Sequence, residues 1–294
     1  MDQINERQAA ITRRRAEVAA KYPSLWSKIV SEWRNPGDDR AWLMYSANYL
    51  FRTGGIRWAL DPLRLQQRLP EAPPVDLATN LNELSFVLLT HQHSDHLDFE
   101  LLRALSNLDI CWVVPEPILE LVIAQAGLNS ARILVPKPLE PIRIKGITIM
   151  PFEGLHQTIP YREAGLDEAR KPKGVPATGY LIEFQGKRWL FPGDTRNYAS
   201  QKIPDFGQVD GFFAHLWLGQ GCAMTKEPPL LEAFCQFCIS LHSRHIVVTH
   251  LEEFGRDAED YWDLRHYIRT ALRIRSLAPT IHVSSAILGE SISL

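Results

Sequence analysis

His91-Gln92-His93-Ser94-Asp95-His96 follows directly on the apolar run from Phe86 to Thr90. That run, opened by Ser85 and closed by a polar cluster, has the length and content of a buried strand. Downstream, Asp98 is a good helix N-cap, and Leu101, Leu102 and Leu105 share one face of a helix expected from Asp98 to Leu108. The cluster therefore occupies a strand-to-helix loop, where a rigid scaffold can aim several side chains at one point.

A lone histidine in such a loop is more often structural than functional. Four potential ligands in six residues reverse that reading, because packing gives no reason to gather them. Imidazole and carboxylate are ligands that borderline divalent metals prefer. His91 and His93, two apart, can project to the same side of an extended chain. Asp95 and His96 lie past the turn and suit a second ion beside the first.

The motif resembles the HxHxDH signature of the metallo-β-lactamase superfamily. That resemblance implies an α/β protein of four-layered αββα sandwich architecture, with further ligands at strand ends in a fixed order. Candidates stand in that order: His156 shortly after Ile147–Met150, Asp194 in Phe191-Pro-Gly-Asp-Thr195, and His250 closing Ile246-Val-Val-Thr249. Carried over residue by residue, His91, His93 and His156 would bind one ion. Asp95, His96 and His250 would bind the other, with Asp194 bridging. Asp61, in Asp61-Pro62 after an expected hairpin, is either a plain turn residue or the aspartate that orients the histidine loop. Thr90-His-Gln-His-Ser-Asp-His-Leu-Asp98 and Phe191-Pro-Gly-Asp-Thr195 are similar to two branches of the superfamily. One is ascorbate-6-phosphate lactonase-like; the other contains the N-acylphosphatidylethanolamine-hydrolysing phospholipase D. Those branches place a Gly-His-Ala/Ser-like patch before the first strand, whereas Tyr45-Ser46-Ala47-Asn48 stands here.

Outward from the motif, residues 4–21 read as a charged helix ended by Tyr22-Pro23, and a stretch bearing Trp26 and Trp33 follows. Residues 1–40 are expected to form an N-terminal helical extension, packed on the main domain or on a partner, including a second copy. Residues 41–294 are expected to form the metallo-β-lactamase-fold domain. The basic run Arg13–Arg15 reads as a solvated face. Trp42–Phe51 and Ile56–Leu60 are expected strands joined by a hairpin at Thr53-Gly54-Gly55. Strands are also expected at 110–114, 132–135, 142–145, 147–150, 177–184, 188–191, 210–214 and 246–249. Helices are expected at 118–126, 229–242 and 257–276, with a closing strand pair over 281–294. The halves before and after about residue 146 share a β-rich, then helix-bearing character.

The loop from Gln157 to Pro176 is long, basic and rich in Pro and Gly, as functional loops are. Arg162, Arg170, Lys171 and Lys173 are its candidate anion-binding residues; a solvated lid is the plainer alternative. His215 follows a strand between two ligand-bearing strands. It is either a core histidine or an oxyanion stabiliser or leaving-group acid. His242, His245, His266 and His282 show no clustering and read as structural.

The chain has 294 residues, 45% hydrophobic and 22% charged, with a formal net charge of −2. That charge offers no general attraction to polyanions and disfavours nucleic acid. No apolar run approaches the roughly 20 residues of a membrane span, and the charged start does not resemble a secretory signal. The four cysteines include Cys235 and Cys238 in a CxxC spacing without a second pair, which points to core packing. A reducing, cytoplasmic location is expected.

The function expected from ligand set and resemblance is a dinuclear metal-dependent hydrolase. It would use a metal-bridging hydroxide on an ester, lactone or phosphoester of a small anionic metabolite. Asp95, Asp194 and His215 are its candidate catalytic residues. Two divalent ions are expected, zinc by default and manganese or iron as alternatives. The competing readings are a phosphodiesterase acting on nucleic acid or phospholipid, and a non-catalytic metal-binding regulator. A phospholipid substrate would want an exposed aromatic entry, for which the tryptophan-bearing N-terminal region is the candidate.

Overall fold

The computed structural model describes residues 2–156 and 174–294. The first half of the chain builds one sheet from β1 (Arg40–Leu43), β2 (Tyr49–Thr53), β3 (Ile56–Leu60), β4 (Phe86–Leu88), β5 (Cys111–Val113) and β6 (Ile133–Leu134). The second half builds another from β7 (Ile142–Ile144), β8 (Ile147–Glu153), β9 (Thr178–Phe184), β10 (Lys187–Phe191), β11 (Val209–His215), β12 (Ser243–Thr249) and β13 (His282–Ser285). A last strand, β14 (Ser291–Ser293), crosses back to pair with β1. Each half runs antiparallel at first and parallel later: β1-β2-β3 then β3-β4-β5-β6, and β7-β8-β9-β10 then β10-β11-β12-β13. The shared character of the two halves is thus a repeated sheet plan.

Alternation along the strands sorts side chains into layers. Tyr49, Phe51, Trp58, Leu60 and Phe86 of the first sheet meet Ile149, Tyr180, Ile182, Phe191 and Phe213 of the second. Phe51 stacks on Trp58 at 3.9 Å and Trp58 on Phe86 at 5.4 Å, while Phe191 meets Phe51 edge-on. Such rings bury large apolar areas, each contributing about 1.5–3 kcal/mol. Leu50, Ala59, Val87 and Trp112, on the other face of the first sheet, are covered by α1 (Asp2–Arg34), α2 (Leu77–Asn80), α3 (Phe99–Leu105) and α4 (Leu119–Ala126). Phe212, Ile246, Val248 and Val283 are covered by α5 (Leu231–Ser240) and α6 (Leu264–Leu277). The result is the expected αββα sandwich.

The hairpin between β2 and β3 pairs Thr53 with Ile56, leaving Gly54 and Gly55 at φ 56° and 78°. Two consecutive positive φ values make the tight turn that strand twist favours.

Four expectations need correction. Pro23 does not end the first helix; α1 runs through it. Trp26, Ile29 and Trp33 beyond the proline are buried with Ile11, Val18 and Tyr22 before it, and that burial outweighs the lost hydrogen bond. Trp42–Phe51 is two strands, because residues 44–48 turn at the site described below. The helix expected from Asp257 begins at Leu264, where Asp263 and His266 close a reciprocal cap. The last two strands do not pair with each other but lie in different sheets.

The N-terminal tryptophans offer no aromatic surface. Trp26 and Trp33 are buried, and their indole N–H groups donate to Asn80 and to the Phe51 carbonyl. In the basic run, Arg14 pairs with Glu252 and Arg15 with Glu71, so only Arg13 is a solvated arginine there. Cys235 and Cys238 are free thiols buried under the second sheet. Among the described residues no helix is long and apolar enough to cross a membrane.

Candidate metal centre

Parallel strands deliver their C-terminal ends to one edge of the sandwich. Asp61 follows β3 and the histidine loop follows β4. Asp194 follows β10, His215 ends β11, and His250 follows β12. His156 arrives three residues after β8. Asp98 caps α3 by accepting from the Glu100 and Leu101 amides, which fixes the far end of the histidine loop.

Two groups of donor atoms result, each drawn within 4.8 Å: His91, His93, His156 and Asp194, and Asp95, His96, His250 and Asp194. Asp194 belongs to both. Its Oδ2 lies 3.6 Å from His156 Nε2, and its Oδ1 lies 3.1 Å from His96 Nε2 and 3.5 Å from His250 Nε2. Asp95 Oδ2 is 3.4 Å from His250 Nε2. His93 Nδ1 and His156 Nε2 approach to 3.0 Å.

Buried polar atoms normally find partners. Here His91 Nε2, His96 Nε2, His250 Nε2 and Asp95 Oδ2 are buried without a hydrogen bond. Four orphans converging from two loops could hold a cation, and their chemistry suits zinc, manganese or iron.

The nitrogens on the other side of the rings are held. His96 Nδ1 meets Asp61 Oδ2 at 2.7 Å, and His91 Nδ1 meets Thr90 Oγ1 at 2.8 Å. Asp61 also accepts from Thr90 N at 2.7 Å and Thr90 Oγ1 at 2.5 Å. Of the two readings of Asp61, the orienting one has the contacts. The turn at 44–48 clamps the same loops. Asn48, fully buried, donates to the carbonyls of Asp61 and Asp95, and the Ser46 carbonyl accepts from His250 N and Thr249 Oγ1. This is where the sequence departs from the related branches, and no motif marks Asn48 as a support. A buried-type polar residue between two aromatic strands was its only signal.

Burial pushes the His91 and His93 imidazoles down and takes His156 to about 4, so all three favour the neutral, ligating form. Burial acts on His96 and His250 in the same sense, but the Asp194 and Asp95 carboxylates prevail and raise both. Asp95 and Asp194 would be raised by burial, yet the imidazoles around them hold both below the usual carboxylate range. Two buried carboxylates thus draw positive charge to this half of the site.

A cavity of about 290 Å³ adjoins the centre, lined among others by Asp194, Arg196, His215, Trp217, His250 and Glu253. His215 Nδ1 lies 2.8 Å from Asp194 Oδ1, and the His215 ring stacks near those of His250 and His96. Glu253, three residues after His250, is buried between Arg68 at 2.6 Å and Arg256 at 2.7 Å. Neither Arg196 nor Glu253 stood out in the sequence, although each lies within three positions of an expected ligand.

Arg162, Arg170, Lys171 and Lys173 lie outside the described residues, as does most of the loop from Gln157 to Pro176. Its described end returns to the centre. At Gly174, φ is 97°, and a Cβ would fall 2.3 Å from the His156 carbonyl oxygen. Of the histidines read as structural, His266 caps α6 and contacts the Ala223 carbonyl, and His245 meets Ser284.

A family model described as a beta-lactamase superfamily domain matches residues 57–253. Among curated proteins, a probable L-ascorbate-6-phosphate lactonase of Salmonella choleraesuis is 24% identical over 168 residues, 54% of this chain and 46% of that protein. The chain spans about half the length of the curated relatives it matches. Among solved structures, a metallo hydrolase from the hyperthermophilic archaeon Ignicoccus hospitalis superposes with a TM-score of 0.61 at 17% identity, over 87% of this chain and 98% of that one. CmlA, a diiron β-hydroxylase from Streptomyces venezuelae, gives 0.60 at 16% identity, over 88% of this chain and 55% of that one. At these identities the structural likenesses speak for the fold alone.

Proposed function

The chain belongs to the metallo-β-lactamase superfamily, and from that premise we propose that it is a dinuclear metal-dependent hydrolase. The observation that carries the reading is the division of Asp194, whose Oδ2 faces the His91, His93, His156 group and whose Oδ1 faces the His96, His250 group. A carboxylate placed so would serve both cation positions. His91, His93 and His156 would hold one ion, and Asp95, His96 and His250 the other. Zinc is the first choice for so many imidazoles; the diiron neighbour in fold keeps iron in view.

When bound, a divalent pair supplies an activated water and polarises the oxygen of the bond to be broken. The chain's own residues do the rest. Asp61 and Thr90 fix the His96 and His91 rings through their Nδ1 atoms, so that each Nε2 faces the centre. With Nδ1–H donated to Asp194 and burial lowering its proton affinity, His215 keeps Nε2 as a base, which must first take up a proton before handing it to a leaving oxygen beside the cavity. A cavity of about 290 Å³ suits a small molecule. The bond class we propose is an ester, lactone or phosphoester.

The test is metal content first, turnover second. Wild-type protein prepared without chelator should carry about two divalent ions per chain. Asp95→Asn keeps shape but loses charge, and should retain about one ion with an unchanged circular dichroism spectrum. Protein with no metal, or an Asp95→Asn variant that keeps both ions and full activity, would sink the dinuclear assignment.

A further inference from the structure

The cavity beside the centre holds two arginines, and they differ in one respect. Arg256 is paired with Glu253, which also takes Arg68. Of the cavity's other acids, Asp260 accepts from the Gly221 amide and Asp194 faces the histidines of the centre. Arg196 has no carboxylate partner among the described residues. Its backbone is fixed two positions from Asp194, with the amide donating to the Leu155 carbonyl at 3.0 Å. Its guanidinium lies over the Trp217 ring, 5.1 Å from the centroid. Stacking on one face leaves the N–H edges of the planar fork, which meet no acceptor among the described residues, to grip an oxyanion with two parallel hydrogen bonds.

We infer that Arg196, braced on Trp217, is the recognition residue for an anionic substituent, carboxylate or phosphate, on the substrate. Its catalytic consequence rests on the hydrolase reading above; its ligand binding does not. Arg196 is half-buried, at the mouth of the centre and not within it. Its positive charge reaches the histidine group and helps lower the proton affinity of His93 and His156. A fixed cation there opposes any positive charge gathered in the centre, and an anion lying between the two satisfies both. A molecule anchored by its anionic group at Arg196 would lay its neighbouring atoms along the cavity wall formed by Asp194, His215 and His250. The site thereby selects substrates whose scissile bond is a few atoms from a negative charge.

Two measurements test this. In the first, inorganic phosphate and succinate are titrated calorimetrically into the protein as purified, wild type and Arg196→Gln. Binding of at least one anion to wild type, weakened about tenfold or more in Arg196→Gln and partly restored in Arg196→Lys, is expected. Wild type that binds neither anion, or binding unchanged by Arg196→Gln, overturns the inference. In the second, kcat/KM is measured for p-nitrophenyl acetate and for mono-p-nitrophenyl succinate, which differ by a carboxylate. The preference for the succinate ester should fall about tenfold in Arg196→Gln at unchanged metal content; an unchanged ratio counts against it. If metal-loaded wild type turns over neither ester, the hydrolase reading is what fails, and the calorimetry still decides Arg196.

Discussion

Asp61 spends one buried carboxylate on three hydrogen bonds, from Thr90 N, Thr90 Oγ1 and the His96 ring. It does so at φ 44°, a left-handed conformation that aspartate tolerates better than most residues. Asparagine has one acceptor oxygen, and its NH₂ would face a donor. Asp61→Asn should therefore destabilise the protein by about 1–3 kcal/mol in denaturant unfolding. It should also weaken metal binding about ten- to a hundredfold, because His96 loses its orienting partner. Competition titration with a chelating dye reads the second effect. Unchanged values in both would return Asp61 to the role of a turn residue.

At the scale of elements, β11 shows why a strand keeps a glycine. Gly211 pairs with Trp189 across the β10–β11 ladder, and a Cβ there would fall 1.7 Å from the Trp189 ring. Gly211→Ala must push that ring, only 7% exposed, out of the layer between the sheets. The expected cost is about 1–3 kcal/mol, read as a lower urea midpoint with unchanged slope. On the next strands, His245 lies in register with His282 on β13, their rings 4.4 Å apart, beside Trp189 and Ser284. Burial, and then the neighbouring His282, push His245 down to about 4 from 6.5. The unfolded chain therefore takes up this proton first as pH falls. The contribution is fully present above pH 6.5 and lost as pH drops toward 4. Comparing urea midpoints of wild type and His245→Asn across that window should show the variant with the shallower decline. Parallel profiles would remove His245 from the account.

Over the whole molecule, the centre lies at one edge of the sandwich, where loops from both sheets converge. The loop carrying His91, His93, Asp95 and His96 comes from the first sheet; His156, Asp194 and His250 come from the second. Ions held there would tie the two halves together and bind only the folded chain. At a free metal concentration of a hundred times Kd, that linkage is worth about 2.7 kcal/mol. Removing metal with a chelator should then lower Tm by about 4 °C for a chain of this size, and readdition should restore it. A Tm indifferent to chelation would mean that the centre does not bridge the halves.

The ligand-type residues were legible because each stands at the end of an apolar run, and strand ends are set by local pattern. The order His91 to His250 and the sandwich architecture followed from that pattern and from family resemblance. What local pattern does not carry is which atoms meet across the chain. Pro23 reads as a helix end, yet burial of Trp26 and Trp33 against the first sheet carries α1 through it. Ile281–Leu294 reads as a closing strand pair, yet β14 closes the first sheet while β13 closes the second. Asn48, Glu253 and Arg196 have no periodicity to announce them; their roles depend on partners 13 to 185 positions away or on a half-buried ring. Sequence determined the donors and the strands that deliver them. Tertiary structure decided what holds the donors and which charge is left for a ligand, because burial and long-range pairing exist only once the two sheets have closed on each other.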